Sequence, residues 1–456
     1  MPVNLRTSIL LIAFFISQPH TGRAQDLNQS YTELLSAQFS DSGPGATALV
    51  AVNGQIVYYK AFGKANLELG VDMKADMKFM IGSVTKQFTA VSVLMLMEQG
   101  KLNLNDDITK YLPDYPAHGH HITIHHLLTH TSGIANSVRL VPWDADVRKR
   151  DFEPEELVNY FKNEAMRSVP GERYRYNNFG YHILGYIIEK VSGQRYDDFV
   201  RTNIFEPLGM KNSRYGSHVD NIPNRAYGYT RNDGFKNAEY VNLSQVYAAG
   251  ALMSTVQDLL IWNSALINNK LISKKSLQLA WSNYDLNSGK KINYGYGWFV
   301  NEINGSHTIE HAGGISGFQT NVIYLPQEDV FVAVFSNCDA TDPRPVSTRM
   351  AALAIGKPYP APEAIIQPSD EALLPWVGNY DYEDGSTRIV ELINHQLYWY
   401  RPGRKKFKLL AISSDHFILE NTFTYVKFQH NEESVEAFVT ARIVNRKATR
   451  TISNNN

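Results

Sequence analysis

The chain has 456 residues, 43% hydrophobic and 20% charged, with Lys+Arg 44 set against Asp+Glu 45 and a formal net charge of -1. That length exceeds one ordinary core and points to about two or three domains. The balanced charge excludes a global field that would draw the chain to nucleic acid, so the expected partner is a small molecule or a peptide.

Arg6 precedes an apolar run from Ile9 to Ile16, and Gly22-Arg23-Ala24-Gln25 supplies a small-x-small pattern. Together these read as a secretory signal over residues 1–24, cleaved after Ala24; an N-terminal core helix, the other reading, has no amphipathic pattern behind it. The run is too short to span a bilayer, and no cysteine follows the cleavage point to carry a lipid anchor. The lone Cys338 cannot form an intrachain disulfide, so stability has to come from packing. The expectation is a periplasmic or secreted protein without a membrane span.

From Asp26 to Phe39 apolar residues recur at helical spacing, and Gly43-Pro44-Gly45 ends the segment. Asn53-Gly54 between two β-rich runs, 46–52 and 55–59, is a hairpin signal. Ile81 to Met97 reads as a helix with Ser83 and Lys86 in its first turn and a stop at Gly100. Residues 101 to 290 form an α-rich lobe: Glu153-Pro154 opens one helix, Tyr181 to Val191 is a second that ends near Gly193, and Gly250 to Leu266 a third, entered through Ser254-Thr255. From Tyr294 the period shortens to strands at 295–300, 306–311, 319–325 and 330–335, closed by a helix over 345–355. A sheet whose strands come from distant parts of the chain, with helices between them, makes this an α+β fold. The hydrolase-sized unit occupies 25–357, a proline-rich linker 358–372, and short β-type runs over 373–456 have the spacing of a small all-β barrel.

Three segments carry chemistry. Ser83 and Lys86 are spaced i, i+3, which sets an amine against a hydroxyl; a desolvated lysine can take the proton that a serine must lose to become a nucleophile. Helix N-terminal N–H groups there would favour an oxyanion. Tyr176 and Asn178, two apart in what reads as an extended loop, point the same way: a phenol, partly phenolate beside the lysine, to relay a proton, and an amide to grip a substrate amide. Their alternative is an aromatic core loop. His311-Ala312-Gly313-Gly314 ends a strand, where the two glycines would let a substrate backbone lie flat, an N–H would join that of Ser83 around an oxyanion, and His311 would face the cleft as donor or cation; the bland alternative is a tight turn with a surface histidine. The crowd of His118, His120, His121, His125, His126 and His130 invites a metal reading, but no carboxylate or cysteine stands at ligand spacing, and 126–133 reads as a short helix with a glycine stop.

Taken in order, Ser83-Val-Thr-Lys86, His126-Leu-Leu-Thr-His-Thr-Ser-Gly133, Tyr176-Asn-Asn178, Pro207-Leu-Gly-Met210, Gly250-Ala-Leu-Met-Ser254 and His311-Ala-Gly-Gly314 resemble the serine β-lactamase-related family, which includes class C β-lactamases, D,D-peptidases, D-aminopeptidases and related esterases. The resemblance covers about residues 30 to 357. It implies a β-lactamase/transpeptidase-like fold and an acyl-enzyme, with neither metal nor cofactor. Ser83 would be the nucleophile, Lys86 its base partner, Tyr176 a second proton relay, Asn178, His311 and Gly313 substrate-side residues, and Gly314 the second oxyanion N–H. Where class C enzymes carry lysine, this chain has His311, a pattern of the D,D-peptidases and D-aminopeptidases; a permanent cation for a β-lactam carboxylate is missing. The expectation is therefore an amidase or peptidase on small peptides, including D-residue or peptidoglycan-derived ones, with an esterase, a β-lactamase or a non-catalytic binding protein as alternatives. From about Leu373 the chain resembles the lipocalin-like barrel of some peptidases of this family, which can cover a site or mediate oligomer contacts.

Overall fold

The computed structural model describes residues 20–136, 149–359 and 365–451, apart from positions 384, 421, 442 and 443. Most of the expected signal segment (1–19) and the middle of the linker (360–364) lie outside the described residues. Among the described residues no helix is long and apolar enough to cross a membrane.

Helix α1 (His20–Ser36) leads to strands β1 (Ala46–Val52) and β2 (Gln55–Phe62). Asn53 and Gly54 both take positive φ, 50° and 71°, as the mirror-image two-residue turn demands. Four helices of the lobe follow: α2 (Thr85–Glu98), α3 (Ile124–Leu128), α4 (Pro154–Phe161) and α5 (Asn178–Ser192). The short strand β3 (Leu252–Ser254) precedes α6 (Val256–Ile267). Strands β4 (Phe299–Ile303), β5 (Ser306–Ile315), β6 (Phe318–Leu325) and β7 (Val330–Ser336) then run as a meander into α7 (Arg344–Ala354).

The main sheet has the order β4-β5-β6-β7-β1-β2, so the N-terminal hairpin is added to the last strand of the meander, Val50 opposite Val332. Side chains alternate across it. Ala46, Ala48, Val50, Val332 and Val334 pack with Tyr31 and Leu35 of α1 and Met350 of α7, whereas Leu49, Ala51, Ala333 and Phe335 join the larger core of the lobe. Both faces are therefore covered, and β1 and β7 read as nearly unbroken apolar runs because no side of them meets water.

Two expectations change. Ser83 lies not in an α-helix but in a 3-10 turn, Gly82–Val84, that feeds α2. Gly250 ends a short helix, Tyr247–Gly250, and Ala251 to Ser254 is not helical: Leu252 accepts a hydrogen bond from the Ile81 N–H at 3.0 Å, and the next helix starts only after Thr255, whose side chain caps the Asp258 N–H. Pairing with Ile81 outcompetes the helical propensity of Ala251-Leu252-Met253 because it ties this segment to the Ser83 turn.

The C-terminal region is a closed barrel of eight antiparallel strands, β8 (Gly378–Tyr382), β9 (Thr387–Ile393), β10 (Gln396–Tyr400), β11 (Phe407–Ala411), β12 (His416–Leu419), β13 (Thr424–His430), β14 (Ser434–Ala441) and β15 (Val444–Thr451). One end is stoppered by Trp376, whose ring stacks on Phe428 at 5.2 Å and whose indole N–H donates to the Ser414 carbonyl at 2.7 Å. Phe423, at the tip of a hairpin, rests on Tyr359 at 4.3 Å between ring centroids.

Candidate functional site

The turn that carries Ser83 is set by glycines. Gly82 has φ +50°, and a Cβ there would lie 2.8 Å from the Gly314 nitrogen; a Cβ on Gly313 would lie 2.0 Å from the Ile81 carbonyl oxygen. The Ser83 turn thus lies directly against the end of β5, and Thr320 of β6 donates to the Ile81 carbonyl at 3.0 Å. Gly313 is needed for this backbone contact rather than to admit a substrate, whereas Gly314 is exposed. Strand β4 stops opposite Glu310, so the edge of β5 from His311 to Ile315 has no strand partner on that side. An extended chain can add there by main-chain hydrogen bonds.

In the first turn of α2, Lys86 is completely buried. Its Nζ donates to Ser83 Oγ at 3.1 Å and to the Ala249 carbonyl at 2.8 Å, and stands 4.9 Å from the centre of the Tyr176 ring. No carboxylate among the described residues pairs with it. Burial pushes its pKa well below the ordinary lysine value, which favours the neutral amine that can accept a proton.

Tyr176 presents a buried hydroxyl that makes no hydrogen bond of ordinary geometry among the described residues. Burial drives its pKa far up; Ser83 offsets that in part and Tyr174 adds to it. The expected partial phenolate is therefore disfavoured, and the group at this place is a neutral phenol that can donate. Asn178 is also placed differently: it opens α5 instead of extending the Tyr176 loop. Its neighbour Asn177 is the N-cap, accepting from the Phe179 N–H at 2.9 Å and donating to the Ile134 carbonyl at 2.9 Å. With that structural task filled by Asn177, Asn178 Oδ1 is left buried without a partner among the described residues.

His311 does not face the cleft as a cation. It is 2% exposed, its Nδ1–H donates to the Ala312 carbonyl at 2.6 Å, and its Nε2 accepts from the Tyr294 hydroxyl at 3.1 Å. Burial, with the Lys86 charge as a second cause, lowers its pKa to about 3. The ring is neutral and both nitrogens are engaged.

The structure adds residues that sequence reasoning passed over. Tyr294 lies in the aromatic run before β4, where glycines on either side of Tyr296 disguised it as part of a strand. His130, one of the histidine crowd, is buried with φ +59°. Its Nδ1 accepts from the Asn177 N–H at 3.0 Å, and its ring centre stands 4.3 Å from that of Tyr176 and 4.7 Å from that of Tyr294. Its Nε2 has no partner among the described residues. Three others of the crowd have separate tasks: His121 pairs with Asp107 at 2.7 Å, His125 with the Tyr296 hydroxyl at 2.8 Å, and His126 completes the capping box of α3. Among the described residues no group of three or more His, Cys, Asp or Glu side chains is arranged to hold a metal ion.

Tyr174 and Phe299, which border this cluster, also line a cleft of about 760 Å³ that carries Glu172, Arg173, Lys290 and Lys291; Ser83, Lys86, Tyr176 and His311 are not in its lining. Phe299 stacks on Tyr176 at 6.5 Å. A serine with a buried amine, a neutral phenol, a carboxamide oxygen without a partner among the described residues and an open strand edge is an arrangement suited to acyl transfer.

Comparison with known proteins agrees with that chemistry. The family model described as Beta-lactamase matches residues 32–357. Penicillin-binding protein 4* of Bacillus subtilis (strain 168) is 30% identical over 418 residues, covering 86% of this chain and 92% of that protein. Among solved structures, the D-amino acid amidase from Ochrobactrum anthropi SV3, complexed with L-phenylalanine amide, superposes with a TM-score of 0.65 at 25% identity, over 73% of this chain and 99% of that one. The octameric penicillin-binding protein homologue from Pyrococcus abyssi, at 24% identity and a TM-score of 0.66, covers 93% of this chain and 99% of its own, barrel region included, and shares the fold. Serine, amine and phenol on a β-lactamase/transpeptidase-like scaffold agree with these likenesses, and the chain belongs to the Beta-lactamase family of serine hydrolases, related to the penicillin-binding proteins and D-amino acid amidases.

Proposed function

We propose that the protein is an exported amidase or peptidase that cleaves small amides, D-residue substrates among them, through an acyl-ester on Ser83. The observation that carries this reading is the hydrogen bond between buried Lys86 and Ser83 at 3.1 Å, with no acid among the described residues paired with the lysine to hold it charged. Neutral Lys86 takes the Ser83 proton as Oγ attacks the substrate carbonyl. The oxyanion forms against the N–H groups of Ser83 and Gly314, which the contact of Gly82 with Gly314 brings to one place. Tyr176, as a neutral phenol, passes a proton to the leaving amine and regains one from Lys86. Water then attacks the ester with the same groups acting in reverse, and Ser83 is restored.

Asn178 Oδ1 accepts the substrate's amide N–H, and the free edge of β5 pairs with its backbone. His311, buried and neutral, supplies no cation for a β-lactam carboxylate, which favours amides and peptides over β-lactams. The name of the amidase relative supports the choice of substrate class, and the apolar run at Ile9–Ile16 supports export.

Intact mass after exposure to a fluorophosphonate should show one adduct, absent in Ser83→Ala. A panel of D-aminoacyl amides, D-Ala-D-Ala peptides, p-nitrophenyl esters and a chromogenic cephalosporin should rank the amides and peptides first. No adduct, or fastest turnover of the cephalosporin, would overturn the reading.

A further inference from the structure

The barrel has one closed end and one open end. Trp376 fills the first. At the other, where β8, β10, β12 and β14 end and β9, β11, β13 and β15 begin, a cavity of about 290 Å³ opens to the surface. Its floor is core: Trp399, Leu419 and Val439 are 4%, 7% and 8% exposed and belong to the barrel's own apolar cluster. Its lining includes five cations, Arg388, Arg401, Arg404, Lys405 and Arg446, and no carboxylate. An eight-stranded barrel is just wide enough either to be filled by its own side chains or to hold one small ligand, and this one is filled at only one end.

The cations are organised. Arg446 lies over the Tyr382 ring at 4.0 Å and Arg388 over the same ring at 5.2 Å, so one aromatic ring holds both guanidinium groups at this mouth. Arg401, Arg404 and Lys405 share the short β10–β11 hairpin tip and form no ion pair among the described residues. The acids on adjoining strands hold other lysines: Glu391 binds Lys406 at 2.5 Å, and Glu420 binds Lys408 at 3.4 Å. Like charges gathered at one mouth repel each other, and an anion placed among them relieves that repulsion. An apolar floor beneath them asks for an apolar body attached to the anion.

We propose that the open end of the barrel is a binding site for a small anionic amphiphile: one carboxylate, sulfonate or phosphate ester group held by Arg401, Arg404 and Lys405, on an apolar body seated against Trp399, Leu419 and Val439. At about 30 Å³ per water-sized group the cavity takes about ten such groups, the size of a medium-length acyl chain or a fused aromatic ring pair. Phe423, which rests on Tyr359, precedes Thr424 of this mouth in the same hairpin.

The full chain, titrated with 8-anilino-1-naphthalenesulfonate, should show one saturable, blue-shifted site. Decanoate should displace the dye, and decan-1-ol or inorganic phosphate should do so at least about tenfold more weakly, since each offers only half of the chemistry. The exposed triple variant Arg401→Gln/Arg404→Gln/Lys405→Gln should weaken dye binding by about tenfold or more, with the melting temperature and amide hydrolysis unchanged. Val439→Phe, which fills the floor and leaves every charge in place, should also lose the dye. Phosphate displacing as well as decanoate would make this a plain anion site, and decanol displacing as well as decanoate a plain apolar cavity. Either result, or unchanged dye affinity in the triple variant, overturns the proposal.

Discussion

The Tyr294 hydroxyl donates to His311 Nε2 at 3.1 Å, and that single contact decides what kind of histidine closes the site. With Nδ1 committed to the Ala312 carbonyl, the ring is held in one tautomer and cannot serve as a cation. Tyr294→Phe should leave Nε2 as a buried, unpaired acceptor, at a cost of about 1–3 kcal/mol in unfolding free energy by chemical denaturation, and lower kcat/KM for an amide by about tenfold. His311→Lys places a charge in the same 2% exposed position near Lys86; it should destabilise the protein by more than the tyrosine change and should not create rapid cephalosporin turnover.

Lys86 should be irreplaceable by arginine. A guanidinium cannot be deprotonated, so Lys86→Arg should lose about 10²–10⁴-fold in kcat/KM even where it folds normally. In the native enzyme kcat/KM should rise with pH to a plateau whose midpoint lies well below 10.5, the ordinary lysine value, because burial favours the neutral amine. A rate that climbs only towards pH 10 would contradict the assignment of Lys86 as base.

Acid should unfold the protein through its buried histidines. His182 and His311 are lowered to about 3 and His126 to about 4, burial being the first cause in each. Their folded values lie below the unfolded value of about 6.5, so the unfolded chain binds more protons between those limits. The stability they confer by staying neutral is complete above about pH 6.5 and falls as pH drops towards 3. Denaturation midpoints measured at pH 7 and pH 5 should differ in that direction, with the m-value unchanged.

The two glycines of β5 should respond oppositely. Gly313→Ala puts a Cβ 2.0 Å from the Ile81 carbonyl oxygen and must shift backbone; it should cost about 1–3 kcal/mol and impair hydrolysis by displacing the Ser83 turn. Gly314→Ala meets only the flexible Gln319 side chain, at 3.2 Å, and should keep stability to within about 0.5 kcal/mol. Paired melting and kinetic measurements on the two variants check this.

Much of this was legible in the sequence because local chemistry leaves local marks. Asn53-Gly54 announced the hairpin, Glu153-Pro154 the start of α4, and alternating apolar runs the sheet and six of the barrel's eight strands. Ser83, Lys86 and Tyr176 stand out by spacing and side-chain chemistry. What escaped depends on tertiary contact. Leu252–Ser254 looks helical until Ile81 lies beside it. Asn177 and Asn178 are indistinguishable as residues, and only the start of α5 makes one a cap and leaves the other unpaired. Whether His311 is a surface cation or a buried neutral ring depends on Tyr294 and Lys86, which reach it from other segments.

The order of the main sheet also governs when a working enzyme can exist. Strand β1 is held on one side by β2, its immediate neighbour in sequence, and on the other by β7, most of the chain away. The hairpin can form early, but its second edge waits for the last strand, and closing so long a loop is the slow step in a fold of this kind. Until Val330–Ser336 docks, β1 exposes an apolar, hydrogen-bond-hungry edge, and β5 and β6 lack the rigid support that sets Gly313 against Ile81. A chain cut short before β7 would therefore be prone to edge-to-edge association and carry an unassembled nucleophile, so that sheet closure acts as the point at which the protein acquires both its solubility and its reactivity.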